Sequence, residues 1–171
     1  MFLKFIKDFA LKKIIKKSLS TYKPVSSTNA VTTVGVLIDE SYFFERKSLI
    51  NGLSANGIKE ENISLLSFKE RVKPKEVINY SYYTRKNIST GGAFDKEAAA
   101  FLNRPFDMLI SYYDIQKPPL TLATIKSKAQ FKVGFATVDK RLNHFMISTI
   151  AEKHDEFITE LFKYLKILNK L

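Results

Sequence analysis

Two stretches of this chain are apolar at nearly every consecutive position: Val31 through Val34-Gly35-Val36-Leu37-Ile38, and Asp107-Met108-Leu109-Ile110-Ser111-Tyr112-Tyr113. A strand with one face in water alternates polar and apolar residues. A strand without alternation is buried on both faces, as in a parallel sheet covered by helices. The rest of the pattern agrees. Ile63 to Phe68 and Phe131 to Phe135 predict further strands, Val77 to Tyr83 reads as a short strand or a turn, and His144 to Ile150 as a further strand or a short irregular segment. Ser41 is placed to cap a helix running to Asn56, with Phe44, Leu49, Ile50 and Leu53 on its inner face and Asn56-Gly57 as its stop. Phe94 to Leu102, Pro118 to Lys128, and residues 152–170 predict three more helices. The last of these turns Phe157, Ile158, Leu161, Phe162, Leu165 and Leu168 inward. Strands alternating with helices define an α/β fold, an open, mainly parallel sheet flanked by helices.

The net charge of +11, from 28 Lys and Arg against 17 Asp and Glu, is concentrated at one end. Residues 1–23 hold Lys4, Lys7, Lys12, Lys13, Lys16, Lys17 and Lys23 against the single Asp8. The chain divides into this basic helical arm (1–23), a Ser/Thr-rich linker (24–32) and an α/β domain (33–171). The lysines interrupt every apolar run in the arm that could form a signal sequence or a transmembrane helix. In helical projection Phe2, Phe5, Ile6 and Phe9 share one face, and Leu11, Ile14, Ile15 and Leu19 fall nearly opposite. Lys13 and Lys16 then occupy the side of the early aromatics. Two rotated stripes weaken the reading of one straight helix on a membrane, which wants a single apolar stripe. They suit a helix threaded between its own domain and a partner protein. A solvated, solubilising tail has the same composition.

Cysteine is absent, which removes disulfides, thiolate metal sites and Cys nucleophiles. His144 and His154 lack partners at zinc-like spacing. His144 reads as a surface or half-buried packing residue, and His154 as exposed. The Gly-x-Gly-x-x-Gly fingerprint, the phosphate loop and the Gly-x-Ser-x-Gly elbow are all missing. Where a dinucleotide loop would stand the chain has Ile38-Asp39-Glu40-Ser41, and Thr90-Gly91-Gly92 reads as a turn. Asp39 and Asp114 close two predicted strands, where open α/β sheets hold ligands. Carboxylates there can act as acid, base or Mg²⁺ ligand, but capping and turn roles compete and are favoured. Asn79 to Asn87 interleaves Tyr80, Tyr82 and Tyr83 with Arg85 and Lys86. That mixture suits stacking on single-stranded RNA, and equally an edge strand with its aromatics against the core. Lys126, Lys128 and Lys132 form a second basic cluster, more consistent with solubility than with a site.

Two family resemblances add to this. Arg104-Pro105-Phe106-Asp107-Met108-Leu109-Ile110, Ser127-Lys128-Ala129-Gln130-Phe131-Lys132-Val133-Gly134-Phe135 and the later Phe157…Glu160-Leu161…Lys163-Tyr164-Leu165 resemble an uncharacterised bacterial domain-of-unknown-function family. More distantly, the strand opening Phe-Asp followed by Ser-Lys-Ala-x-Phe-Lys-Val-Gly-Phe is similar to the acceptor-side half of heptosyltransferase-like glycosyltransferases. That likeness implies a single Rossmann-like sheet. It does not carry over the activity, because those enzymes need a second such domain for the nucleotide sugar.

The functional expectation is a non-catalytic, cytoplasmic protein that binds RNA and associates with the ribosome. Its contacts would be Lys4, Lys7, Lys12, Lys13, Lys16, Lys17 and Lys23 on phosphate, with Tyr82, Tyr83, Arg85 and Lys86 in support. No metal, cofactor or small-molecule substrate is expected. The alternative is a peripheral membrane or envelope protein that places Phe2, Phe5 and Phe9 in anionic lipid. A small nucleotide- or sugar-binding domain is the second alternative.

Overall fold

The computed structural model describes residues 1–24 and 27–171. Six strands form one sheet: β1 (Val34–Asp39), β2 (Ile63–Phe68), β3 (Tyr82–Tyr83), β4 (Met108–Tyr112), β5 (Phe131–Phe135) and β6 (Phe145–Ile147). Their order is β3-β2-β1-β4-β5-β6 and every pairing is parallel. The described residues form five α-helices: α1 (Phe2–Thr21), α2 (Arg46–Ala55), α3 (Lys96–Asn103), α4 (Pro118–Lys126) and α5 (His154–Ile167). This is the Rossmann-like arrangement, and it follows from strands such as β1 and β4, in which every residue is buried.

Successive side chains of each strand point to opposite faces, so the sheet carries two cores. Val34, Val36 and Ile38 pack with Leu49 and Leu53 of α2 and Phe157, Leu161 and Leu165 of α5. Leu37, Leu66 and Leu109 pack on the other face with α1, α3 and α4. Gly35 is required where Phe106 lies against the sheet, because a Cβ there would come within 2.7 Å of its ring.

α1 belongs to the second core. Leu11, Ile15 and Leu19 are buried, and Ile14 and Leu122 both lie against Gly92. The end of the linker is fixed as well. The Val31 N–H donates to the Lys170 carbonyl at 2.7 Å, and Asp107 accepts from the N–H groups of Thr32 and Thr33. Val25 and Ser26, near the start of that expected linker, lie outside the described residues.

Several expected boundaries shift for local reasons. α2 starts at Arg46 because the Ser41 hydroxyl donates to Asp39 at 2.6 Å and caps no helix. Phe43 is therefore buried, and Phe44, expected inside, is exposed. α5 ends at Ile167, which leaves Leu168 outside. His154 is half-buried beside the Phe43 ring, not exposed, and His144 is half-buried and stacked on Phe131. The segment between β2 and β3 forms no helix.

Candidate functional site

Asp39 pairs with Phe68 in the register of β1 and β2. Asp39-Glu40 and Lys69-Glu70 therefore leave adjacent parallel strands at the same edge of the sheet. Asp39 is fully buried, and its Oδ1 accepts the Ser41 N–H at 3.0 Å as well as the Ser41 hydroxyl. Its Oδ2 lies 2.7 Å from the Lys117 ammonium. Asp114, just beyond β4, accepts the Tyr42 hydroxyl on one oxygen and the Ala151 N–H at 2.9 Å on the other. Burial and the Asp114 carboxylate hold the Tyr42 hydroxyl far above its ordinary pKa. Both aspartates are thus occupied in fixing turns and loops, as capping residues are.

A relay of ion pairs leads away from Asp39. Lys117 lies 3.8 Å from Glu70, Glu70 pairs with Arg85, and Arg85 pairs with Asp8 of α1 at 2.7 Å. Lys4 meets Glu70 at 3.5 Å. The N-terminal half of α1 is in this way tied to the strand tips by charge, and the C-terminal half by apolar packing.

Beside the relay, an open groove of about 830 Å³ is walled by Glu40, Phe44, Lys69, Arg71, Lys73 and Lys75, among others. Glu40 is 7% exposed. Its Oε1 accepts the Tyr80 hydroxyl at 2.7 Å and lies 3.4 Å from Arg46 and 3.8 Å from Lys69. The Arg46 guanidinium sits 3.4 Å above the Tyr80 ring, and Lys69 also pairs with Glu76 at 2.9 Å. Glu40 Oε2 is buried and has no hydrogen-bond partner among the described residues.

The outer face of α1 is the second prominent feature. Phe2, Phe5 and Phe9 are 76%, 67% and 74% exposed, with Leu3 and Ile6 beside them. Lys12, Lys13, Lys16 and Lys17 follow and are also exposed. At 100° per residue Lys13 and Lys16 continue the side of the helix opened by Phe2, Phe5 and Phe9. One outward face is therefore aromatic in its first half and basic in its second. No helix among the described residues is long and apolar enough to cross a membrane.

The residues expected to bind RNA separate into two sets. Lys12, Lys13, Lys16, Lys17 and Lys23 are exposed, Lys4 is exposed beside Glu70, and Lys7 is half-buried. The Tyr82-to-Lys86 segment does not assemble a stacking platform. Tyr83 is fully buried between Phe68 and Phe94 and donates to the Pro119 carbonyl at 3.2 Å. Arg85 is engaged by Asp8 and Glu70, Tyr82 is half-buried, and only Lys86 is exposed. The edge-strand reading of this segment fits, because β3 pairs with β2 at the margin of the sheet. Lys132 leaves the second basic cluster: it is buried and donates to the Tyr22 hydroxyl at 2.8 Å and the Thr124 carbonyl at 2.6 Å.

Sequence reasoning missed Glu40, Arg46, Lys69, Glu70 and Lys117. A signal for some of them was present. Asp39-Glu40 and Lys69-Glu70 each follow a predicted strand directly, so a parallel pairing brings them together.

One family model, described as a family of unknown function (DUF6913), matches residues 7–168. No curated protein and no solved structure matches the chain.

Proposed function

The chain belongs to the DUF6913 family, whose function is unknown, so its role rests on its own surface, and we propose that it is a non-catalytic peripheral protein docking on anionic lipid through α1. The observation that carries this is the outward face of that helix, aromatic at Phe2, Phe5 and Phe9 and basic at Lys12, Lys13, Lys16 and Lys17. Aromatic side chains enter the headgroup boundary, and each lysine near an anionic surface contributes about 1 kcal/mol. The two rotated stripes no longer weigh against a membrane. The second stripe, Leu11, Ile15 and Leu19, is buried in the protein's own core, which leaves a single apolar patch facing outward.

Flotation with lipid vesicles tests this. The protein should rise with phosphatidylglycerol-containing vesicles and much less with pure phosphatidylcholine. Replacing Phe2, Phe5 and Phe9 together by Ser should abolish flotation without unfolding the protein, because all three are exposed. Gln at Lys12, Lys13, Lys16 and Lys17 should remove the preference for anionic lipid.

The RNA-binding, ribosome-associated reading stands second, favoured by the same exposed lysines. It would prevail if the protein failed to float but pelleted with ribosomal subunits in a manner that falls steeply with salt. Phosphate contact gives no role to the exposed phenylalanines, which is why lipid ranks first.

A further inference from the structure

The exposed apolar side chains are not spread evenly over the molecule. Among the described residues the large ones fall in three places: the first half of α1, the loops that leave the C-terminal ends of the strands, and the chain end from Ile167 to Leu171. The loop residues are Phe44 after β1, Val77 between β2 and β3, Ile115 after β4 and Ile150 after β6. The helices α2, α3 and α4 show none. Single exposed apolar residues are ordinary, but their concentration at one end of a molecule marks a contact surface. The first half of α1 lies at that same end. Lys4 meets Glu70 at 3.5 Å just past β2, and Asp8 meets Arg85 at 2.7 Å just past β3.

Charge divides this end into two margins. The β2–β3 loop carries Arg71, Lys73 and Lys75, all exposed, beside Val77, which is 94% exposed. The two acids of the loop are engaged by other groups. Glu70 is held by Lys4, Arg85 and Lys117. Glu76 accepts the Lys73 N–H at 3.1 Å and lies 2.9 Å from the Lys69 ammonium. Arg71, Lys73 and Lys75 form no ion pair among the described residues, so their charge is left uncompensated. The margin around Ile150 is the reverse. Glu152, Asp155 and Glu156 are exposed there with Lys153 among them, and Glu45 joins them beside His154 at 3.5 Å.

We propose that the β2–β3 loop is a second lipid contact, and that the protein docks with this loop and α1 against an anionic bilayer and the Ile150 margin turned away. This rests on the lipid reading of α1 and adds the orientation of the body to it. Val77 enters the headgroup boundary, Arg71, Lys73 and Lys75 lie among anionic headgroups, and the acidic margin is repelled. The ion pairs of Glu70 with Lys4 and Arg85 tie the loop to α1, so the two contacts act together.

The chain has no cysteine, so a single introduced one carries a polarity-sensitive fluorophore at one known place. Leu3→Cys, Val77→Cys and Ile150→Cys, each at an exposed position, are labelled and mixed with vesicles of phosphatidylglycerol and phosphatidylcholine. Emission should shift to the blue at positions 3 and 77 and stay unchanged at position 150. A shift at position 3 without one at 77 overturns the second contact and leaves the reading of α1 standing. No shift at position 3 overturns that reading and this one with it. A shift at position 150 equal to that at 77 overturns the orientation. In flotation of the unlabelled protein, joint replacement of Arg71, Lys73 and Lys75 by Gln should lower the partition coefficient on the same vesicles about tenfold or more. The three side chains are exposed, so the melting temperature should not change. Partition equal to that of the wild type overturns the proposal.

Discussion

Lys132 shows how a residue read as surface charge can be placed in the core. It lies on β5, where every position is buried. Its ammonium reaches a hydroxyl and a carbonyl and lies 5.1 Å from the Tyr22 ring centre, and no carboxylate is among its ion-pair partners in the described residues. Burial pushes its pKa down from 10.5 to about 8. The folded state therefore favours the neutral amine, and its stability contribution is complete above the unfolded value and is lost as pH falls from 10.5 to about 8. Urea denaturation should show stability rising between pH 8 and 9.5. Above pH 10 the half-buried Tyr22, whose pKa burial raises to about 12, pulls the other way. Lys132→Met should flatten that rise and stabilise the protein at pH 7 by on the order of 3 kcal/mol, less what the lost hydrogen bonds contributed. Gly92 is the opposite case, a small residue that reads as a turn and is a packing surface. Its φ is +80°, and a Cβ would come within 3.2 Å of Ile14 and 3.3 Å of Leu122. Gly92→Ala should lower the melting temperature through both backbone strain and displacement of α1.

At the scale of elements, α1 has one buried side and one exposed side. Leu11→Ala, at a fully buried position, should cost about 2–5 kcal/mol in urea denaturation, the range for emptying a core leucine. Phe9→Ser, two residues earlier on the opposite, exposed side, should change stability by less than about 0.5 kcal/mol. If the two variants lost equal stability, α1 would not be docked as described. The sequence shows both stripes and their rotation, because helical periodicity needs only residue spacing. It does not show which stripe is buried. That depends on where the crossovers place Leu120, Leu122 and Gly92, residues about a hundred positions along the chain. The same limit accounts for β3. Tyr82 and Tyr83 are suited by type to a strand, to stacking on bases or to a core, and only pairing with β2 puts the Tyr83 ring between Phe68 and Phe94.

For the whole molecule, the basic arm and the α/β body are one packed unit. Removing residues 1–23 would uncover the apolar surface that Leu11, Ile15 and Leu19 cover and would leave Arg85 without Asp8. The truncated chain should melt at a lower temperature than the full chain. A lost interaction with lipid or RNA in that truncation would then report destabilisation together with loss of contacts, so the exposed-residue variants are the cleaner probe. Calorimetric scans of the two chains check this, and an unchanged melting temperature would mean that the helix adds nothing to the body.

The residues by themselves determined the α/β class, the parallel sheet and the positions of most strands and helices, because unbroken apolar runs and helical spacing are local properties that topology does not alter. They also determined that seven lysines sit ahead of the body. Tertiary structure alone decided that Asp39 is held by Lys117, that Arg85 joins α1 to the strand tips, and that Glu40 is buried. Each of those depends on side chains from separate strands and loops meeting at one edge of the sheet, and the charge of a residue does not reveal which opposite charge the fold will bring to it.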